Sequence, residues 1–194
     1  MGSRDCRDLA ETAAPGPLIS RRKAMQRLPG IAFIIALLVG LPGFAAEKPD
    51  VGSQAPSFSV PLLEGGELDL AQHLGKNPIL LDFWSIYCVS CVQEMPKLVE
   101  IYERYKDRGF IAVGVDLDSF GQKRVVRFVQ GLSFKITYPL VIDAQREVAA
   151  KYGVSVLPTT VVIDRKGKII FYHVGYAPGD EATIEEKVKE ALGD

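Results

Sequence analysis

Two cysteines three residues apart, Cys88 and Cys91, lie where an apolar run gives way to a helical pattern, and this junction constrains the chain more than any other feature. Residues 79–84 form a short apolar run between polar and turn-forming residues, which predicts a buried strand. Residues 88–109 predict a helix that ends at a glycine, because apolar residues then recur every three or four positions. The residues that define the predicted apolar face are Val92, Met95, Leu98, Val99, Tyr102 and Tyr105.

Cys88 is predicted to be the nucleophile because it lies at the N-terminus of this helix. Unpaired backbone N–H groups and the positive end of the helix dipole favour a thiolate there over a thiol. Cys91 is almost one turn further along and faces inward, so its sulfur can bond to that of Cys88. We therefore expect a disulfide between Cys88 and Cys91, in which Cys91 is the resolving thiol.

Three other uses of a Cys-x-x-Cys pair fit the sequence poorly. A zinc site needs two more ligands, but the third cysteine is the remote Cys6, and the two histidines, His73 and His173, lack ligand spacing. Covalent haem attachment needs a histidine directly after the second cysteine, where this chain has Val92. A purely structural disulfide across so short a loop would remove little chain entropy. Redox chemistry without a metal or an organic cofactor is the expected use.

Several motifs around this pair are shared with a known family. Residues 82–91, with the proline that follows, and residues 156–160 resemble thioredoxin-fold proteins. Residues 52–58 and 75–76 are more narrowly similar to the TlpA/ResA-like branch of secreted thiol-disulfide oxidoreductases, within the redoxin superfamily. The similarity extends over residues 50–192, which is nearly all of the chain after its leader.

The resemblance implies an α/β thioredoxin fold, in which a central mixed β-sheet is flanked by helices, with an N-terminal β-hairpin and a βα insertion. The chain departs from the family at Tyr87, where tryptophan is usual before the first cysteine, and at Val89-Ser90, where Gly-Pro or Glu-Pro is common. These departures bear on the reduction potential and leave the fold unaffected.

The rest of the sequence fits that fold. Predicted strands follow from short apolar or alternating runs, and predicted helices follow from three-to-four-residue spacing. The predicted strands are residues 58–63 and 67–70 (the hairpin), 110–117, 138–143, 159–163 and 168–174, and the predicted helices are residues 122–132, 146–152 and a last one that begins near Pro178-Gly-Asp180.

The resemblance also implies which residues contact substrate. It assigns that role to Trp84, Tyr87, Leu157 and Pro158, and it implies a cis peptide bond before Pro158, facing the two sulfurs. The sequence alone would favour a trans bond, because cis is the minority form of X-Pro bonds.

Asp82 is a carboxylate in an otherwise apolar strand, and its position matches the buried acid of thioredoxins. Burial should raise its pKa and allow it to exchange a proton with Cys91 during resolution. Thioredoxins often place a lysine on the adjacent strand, but residues 112–115 contain none, so the effect of desolvation should be less offset.

Residues 1–45 are predicted to be a leader. Residues 1–24 are polar and lack apolar periodicity, so disorder is expected there, with Met25 as an alternative start. Basic residues, an apolar run and small residues before a predicted cleavage after Ala45 are typical of a secretory signal. An uncleaved membrane anchor over residues 28–46 is the alternative.

The predicted thioredoxin-like domain, residues 46–194, is acidic. Removal of the six basic and three acidic leader residues leaves 17 basic and 21 acidic residues, a net charge of −4. Nucleic acid is therefore not an expected partner. Only Cys88 and Cys91 remain as cysteines, and an exported compartment permits disulfide chemistry.

These observations predict an exported, periplasmic thiol-disulfide oxidoreductase, with anchoring in the inner membrane as the alternative location. The family resemblance implies a reductase of disulfides in exported proteins, such as apocytochrome c thiols, that is recharged by a membrane thiol-electron donor. A peroxiredoxin-like thiol peroxidase is one alternative, since Ser85 fits its motif although Leu81 replaces the motif's proline. A non-catalytic metal-binding module is the other.

Overall fold

A computed structural model of the protein describes residues 48–194. The predicted leader over residues 1–45, the alternative start at Met25 and the predicted anchor over residues 28–46 lie outside these described residues. Within residues 48–194, no helix is long and apolar enough to cross a bilayer.

A five-stranded mixed sheet forms the centre of the described domain, and a two-stranded hairpin precedes it. The strands are β1 (Ser59–Pro61), β2 (Glu67–Asp69), β3 (Ile79–Trp84), β4 (Ile111–Asp116), β5 (Leu140–Ile142), β6 (Thr159–Ile163) and β7 (Ile169–Val174). The order in the sheet is β5-β4-β3-β6-β7, with β3 parallel to β4 and antiparallel to β6. Every residue of β3 is buried, as its apolar sequence predicts for the central strand.

Helices pack against both faces of the sheet. They are α1 (Val89–Tyr105), α2 (Gln122–Gln130), α3 (Glu147–Lys151) and α4 (Asp180–Leu192). Alternate residues of β3 point to opposite faces, so Leu81 and Phe83 share a hydrophobic cluster with α3. Leu80 and Trp84 share the other cluster with α1, α2 and α4. The predicted thioredoxin fold is confirmed.

The N-terminal segment forms hydrogen bonds to both edges of the sheet. Residues 52–55 form backbone hydrogen bonds to the start of β7 and to the turn before it. The β1–β2 hairpin approaches the other edge, where the Leu63 N–H donates to the Leu140 carbonyl in β5 at 2.8 Å. These hydrogen bonds satisfy strand groups at β5 and at the start of β7 that would otherwise be open to association with other chains.

The structure corrects the predicted apolar face of α1. The buried residues are Cys91, Glu94, Met95, Leu98, Ile101 and Tyr105, whereas Val92, Val99 and Tyr102 are only half-buried. Cys91 points inward and so determines which side of α1 faces the sheet. The residues one turn from Cys91 lie on the same side of the helix and are buried with it. The helix ends at Tyr105, and a 3₁₀ turn, Lys106–Arg108, leads to Gly109, whose φ of 83° favours glycine.

Candidate active site

Cys88 lies at the end of a short turn between β3 and α1, and it is the N-cap residue of α1. Its Sγ accepts a hydrogen bond from the Cys91 backbone N–H at 3.2 Å. This donor is one of the first-turn N–H groups that have no partner within a helix. A sulfur that accepts this hydrogen bond is stabilised in its thiolate form when the pair is reduced.

Cys88 and Cys91 form a disulfide with an S–S distance of 2.05 Å. Cys91 is completely buried, whereas Cys88 is partly exposed. The two members of the pair are therefore unequal, and Cys88 is the one that another molecule can approach.

Asp118 holds the turn that leads to Cys88. Its two carboxylate oxygens accept hydrogen bonds from the Ser85 hydroxyl and the Ile86 backbone N–H, both at 2.8 Å. Burial of Asp116, together with the nearby Asp118 carboxylate, raises the pKa of Asp116 to about 9. At neutral pH Asp116 is therefore protonated. Sequence reasoning missed Asp116 and Asp118, because the hydrogen bond between Ser85 and Asp118 joins positions more than thirty residues apart.

Asp82 lies in the centre of β3 and is 1 % exposed. Its neighbours across the sheet are Gly114 in β4 and Thr160 in β6, so no lysine stands beside it. Burial, reinforced by the charge of Glu94, raises the pKa of Asp82 well above its usual range, and the nearby Tyr138 hydroxyl offsets only part of this. Neither Asp82 oxygen has a hydrogen-bond partner of ordinary geometry among the described residues.

Glu94 is a second buried carboxyl group, and sequence reasoning missed it. It lies one turn after Cys91 on α1 and is 0 % exposed. The Thr160 hydroxyl donates to Glu94 Oε1 at 2.8 Å, which places Glu94 on the same face of the sheet as Asp82. Burial raises the pKa of Glu94 to about 7, although the Thr160 hydrogen bond opposes that rise. The sequence feature that could have indicated its burial is its position three residues after the inward-facing Cys91, on the same side of the helix.

The cis peptide bond implied by the resemblance is present between Leu157 and Pro158, directly before β6. Leu157 is partly buried in the same hydrophobic cluster as Cys88 and Cys91. Its backbone N–H and C=O make no hydrogen bond to other described residues. Pro158 itself is buried, and its carbonyl accepts from the Gly175 N–H at 2.8 Å. Leu157 therefore presents open backbone groups directly before Pro158.

The two aromatic residues expected to contact substrate differ in exposure. Trp84 is 0 % exposed and stacks on Phe128 of α2, with ring centroids 6.2 Å apart. The expectation of substrate contact by Trp84 is therefore corrected, because its position at the end of the central strand places it in the core. Tyr87 is 58 % exposed and packs against Phe120, with centroids 5.5 Å apart.

The two histidines, His73 and His173, are far from the two cysteines in the sequence. Neither of them belongs to a cluster of metal-ligating side chains among the described residues. His173 lies on β7 and contacts the Asp180 carboxylate at 3.2 Å, while His73 follows a 3₁₀ turn, Leu70–Gln72. Among residues 48–194 there is no group of three or more His, Cys, Asp or Glu side chains that could hold a metal ion.

Comparison with known proteins identifies the family. The sequence matches the AhpC/TSA family over residues 51–172. It is 37 % identical over 155 residues to the thiol-disulfide oxidoreductase ResA of Geobacillus thermodenitrificans, covering 76 % of this chain and 87 % of that protein. It is 34 % identical over 167 residues to ResA of Bacillus anthracis, covering 82 % of this chain and 88 % of that protein.

Two solved structures are similar in fold. A Chlorobium tepidum protein described as a thiol:disulfide interchange protein DsbE has a TM-score of 0.68 and 32 % identity, over 74 % of this chain and 99 % of that one. The thioredoxin domain of a Bacteroides vulgatus thiol-disulfide oxidoreductase has a TM-score of 0.61 and 28 % identity, over 73 % of this chain and 99 % of that one. The chain therefore belongs to the AhpC/TSA family and is a thiol-disulfide oxidoreductase of its ResA-like, thioredoxin-fold branch.

Proposed function

We propose that the protein is an exported reductase of disulfides in other exported proteins, with the disulfide formed by the cysteine thiols of apocytochrome c as one substrate class. In this proposal Cys88 attacks the substrate, Cys91 resolves the intermediate, and a thiol-electron donor in the membrane restores the dithiol.

The reaction moves two electrons from the dithiol to the substrate disulfide. The Cys88 thiolate attacks one substrate sulfur, which forms a mixed disulfide and releases the other substrate sulfur as a thiolate that takes up a proton. Cys91 then loses its proton and attacks the Cys88 sulfur. The Cys88–Cys91 disulfide forms, and the second substrate sulfur leaves as a thiolate that is protonated in turn.

The unequal exposure of the two cysteines is the observation that carries this proposal. Cys88 is partly exposed at the helix N-terminus, whereas Cys91 is buried beside Glu94, one helical turn away. A buried thiol must lose its proton before it can attack, and Glu94, with its pKa at about 7, can accept it near neutral pH. The open backbone groups of Leu157 support binding of an extended substrate segment by strand-like hydrogen bonds.

The reduction potential tests the direction of the reaction. We expect a value near that of thioredoxin, about −270 mV, when the protein is equilibrated with dithiothreitol or glutathione buffers. The reduced protein should also reduce the disulfide of a Cys-x-x-Cys-His peptide, the attachment sequence of c-type haem. A potential near about −120 mV would instead indicate an oxidase and would contradict the proposal.

A further inference from the structure

The charges of the domain are unevenly distributed along the chain. Residues 119–142 contain four basic residues and no acidic residue. Because residues 46–194 have a net charge of −4, the remainder of the domain has a net charge of −8. A positive segment in an otherwise negative domain creates a local potential that favours anionic partners.

This positive segment lies beside Cys88. It begins directly after Asp118, which binds the turn that leads to Cys88. Phe120 packs against Tyr87, the residue before Cys88. The Arg124 guanidinium lies over both rings, 4.8 Å from the centroid of Phe120 and 5.4 Å from that of Tyr87. The basic start of α2 and the exposed aromatic pair therefore form one surface next to the disulfide.

The cations of this surface have no acidic partner among the described residues. Lys123, Arg124 and Arg127 are all exposed, and none of them forms an ion pair within residues 48–194. Elsewhere in the domain, exposed cations such as Lys97 and Arg108 do pair with acids. Unpaired cations beside exposed aromatic rings are typical of binding surfaces, where Arg and Tyr are enriched.

We propose that the basic aromatic surface, formed by Tyr87, Phe120, Lys123, Arg124 and Arg127, docks a polypeptide segment that carries acidic side chains close to its cysteines. This inference rests on the proposed function, because it names a feature of the substrates. The acidic remainder of the domain repels such a segment, while the basic aromatic surface attracts it to the face where Cys88 is exposed. Apolar groups of the segment can pack on the two exposed rings.

Three disulfide peptides that differ only in the residues flanking the cysteines test the proposal. The flanking residues are glutamate in the first, glutamine in the second and lysine in the third. Reduction by the parent protein should be fastest for the glutamate peptide and slowest for the lysine peptide. The glutamate-to-glutamine rate ratio should be roughly two- to fivefold at low salt, as for an exposed ion pair, and should fall as salt is added.

Substitution of the cations should remove this preference. In the triple variant Lys123→Gln, Arg124→Gln and Arg127→Gln, the glutamate-to-glutamine ratio should fall to near one. The matched control is Lys166→Gln, because Lys166 is an exposed cation in the turn between β6 and β7, at the end of β6 remote from Pro158. The control should keep the ratio of the parent.

The possible failures can be told apart. A triple variant that keeps the parent ratio overturns the docking surface and leaves the proposed function standing. A parent protein that reduces none of the peptides refutes the proposed function. Fluorescently labelled peptides with serine in place of cysteine then test the basic aromatic surface by binding alone. Equal affinities for the glutamate, glutamine and lysine peptides overturn the docking proposal. A parent ratio of one, together with salt-sensitive binding to phosphatidylserine vesicles that the triple variant loses, overturns the peptide proposal in favour of a lipid surface.

Discussion

Cys88 and Cys91 differ in exposure and in hydrogen bonding, so serine at the two positions should have opposite effects. Cys91→Ser should accumulate a covalent mixed disulfide with substrate, because Cys88 can attack but no thiol is left to release it. Cys88→Ser should trap little substrate, because the remaining thiol is buried. Non-reducing gel electrophoresis with mass spectrometry measures both variants. Equal trapping by the two would show that the attacking cysteine is not Cys88.

Glu94 is expected to control the pH dependence of the resolving step. Its pKa of about 7 makes its ionised form available as a proton acceptor for Cys91 at and above neutral pH. In Glu94→Gln the release of product from the mixed disulfide should slow, and the rise of the parent rate through pH 7 should be lost. Stopped-flow single-turnover measurements from pH 5 to 9 follow that step. The exposed Glu64→Gln is the control, and a parent-like profile in Glu94→Gln would exclude the role.

Asp82 should destabilise the protein as pH rises. The pKa of Asp82 is higher in the folded protein than in the unfolded chain. The free energy of unfolding that the protonated carboxyl group contributes is therefore fully present below the unfolded-state pKa, and it is lost as pH rises towards the folded-state pKa. Asp82→Ala should therefore gain stability relative to the parent with increasing pH. Urea unfolding at a series of pH values, with Glu64→Gln as the control, measures the difference in free energy. A difference that does not change with pH would contradict the predicted ionisation.

Asp82 and Glu94 show what could be predicted from the sequence at the level of single residues. A lone carboxylate in an apolar strand is unusual, so the burial of Asp82 followed from the strand prediction. A glutamate in a helix is usually exposed, and the helical phase that buries Glu94 depends on how α1 packs on the sheet. The contact of Asp118 with the turn before Cys88 is a tertiary one, and no local pattern indicates it.

The turn between β3 and α1 depends on Asp118, which is 5 % exposed. Asp118→Ala should lower the free energy of unfolding by roughly 1–3 kcal/mol, because the Ile86 N–H and the Ser85 hydroxyl lose their acceptor. Asp118→Asn keeps an acceptor oxygen and should recover much of that loss. Thermal or urea unfolding of the two variants tests the difference. An alanine variant as stable as the parent would show that the turn does not need this support.

The elements themselves were easier to predict than their packing. The strand and the helix on either side of the cysteines have clear periods, and their bounds agree with the structure to within a few residues. Helix α2 was also predicted, but Val125 is the one fully buried residue of α2. Most of α2 lies at the surface, and its basic start faces solvent beside Cys88.

Across the whole domain, the redox state should change the stability of the fold. A reductase favours the disulfide form of its own cysteines over the dithiol form. Folding must therefore stabilise the oxidised protein more than the reduced one, and this difference in free energy contributes to the reduction potential. Complete burial of Cys91 works in this direction as pH approaches the ordinary pKa of a thiol, about 8.5, because desolvation disfavours a thiolate at Cys91 in the reduced protein. The N-terminus of α1 opposes it by stabilising the Cys88 thiolate.

We expect burial of Cys91 to outweigh the helix N-terminus above about pH 8.5, the ordinary pKa of a thiol, so that the oxidised protein has the higher free energy of unfolding there. Paired urea unfolding curves, with and without dithiothreitol, measure the difference, and a difference of about 1.4 kcal/mol corresponds to 30 mV for this two-electron couple. The variant with serine at both Cys88 and Cys91 is the control, because its unfolding should not respond to the reductant. A reduced protein that is more stable than the oxidised one would identify an oxidant and would contradict the proposed direction of electron transfer.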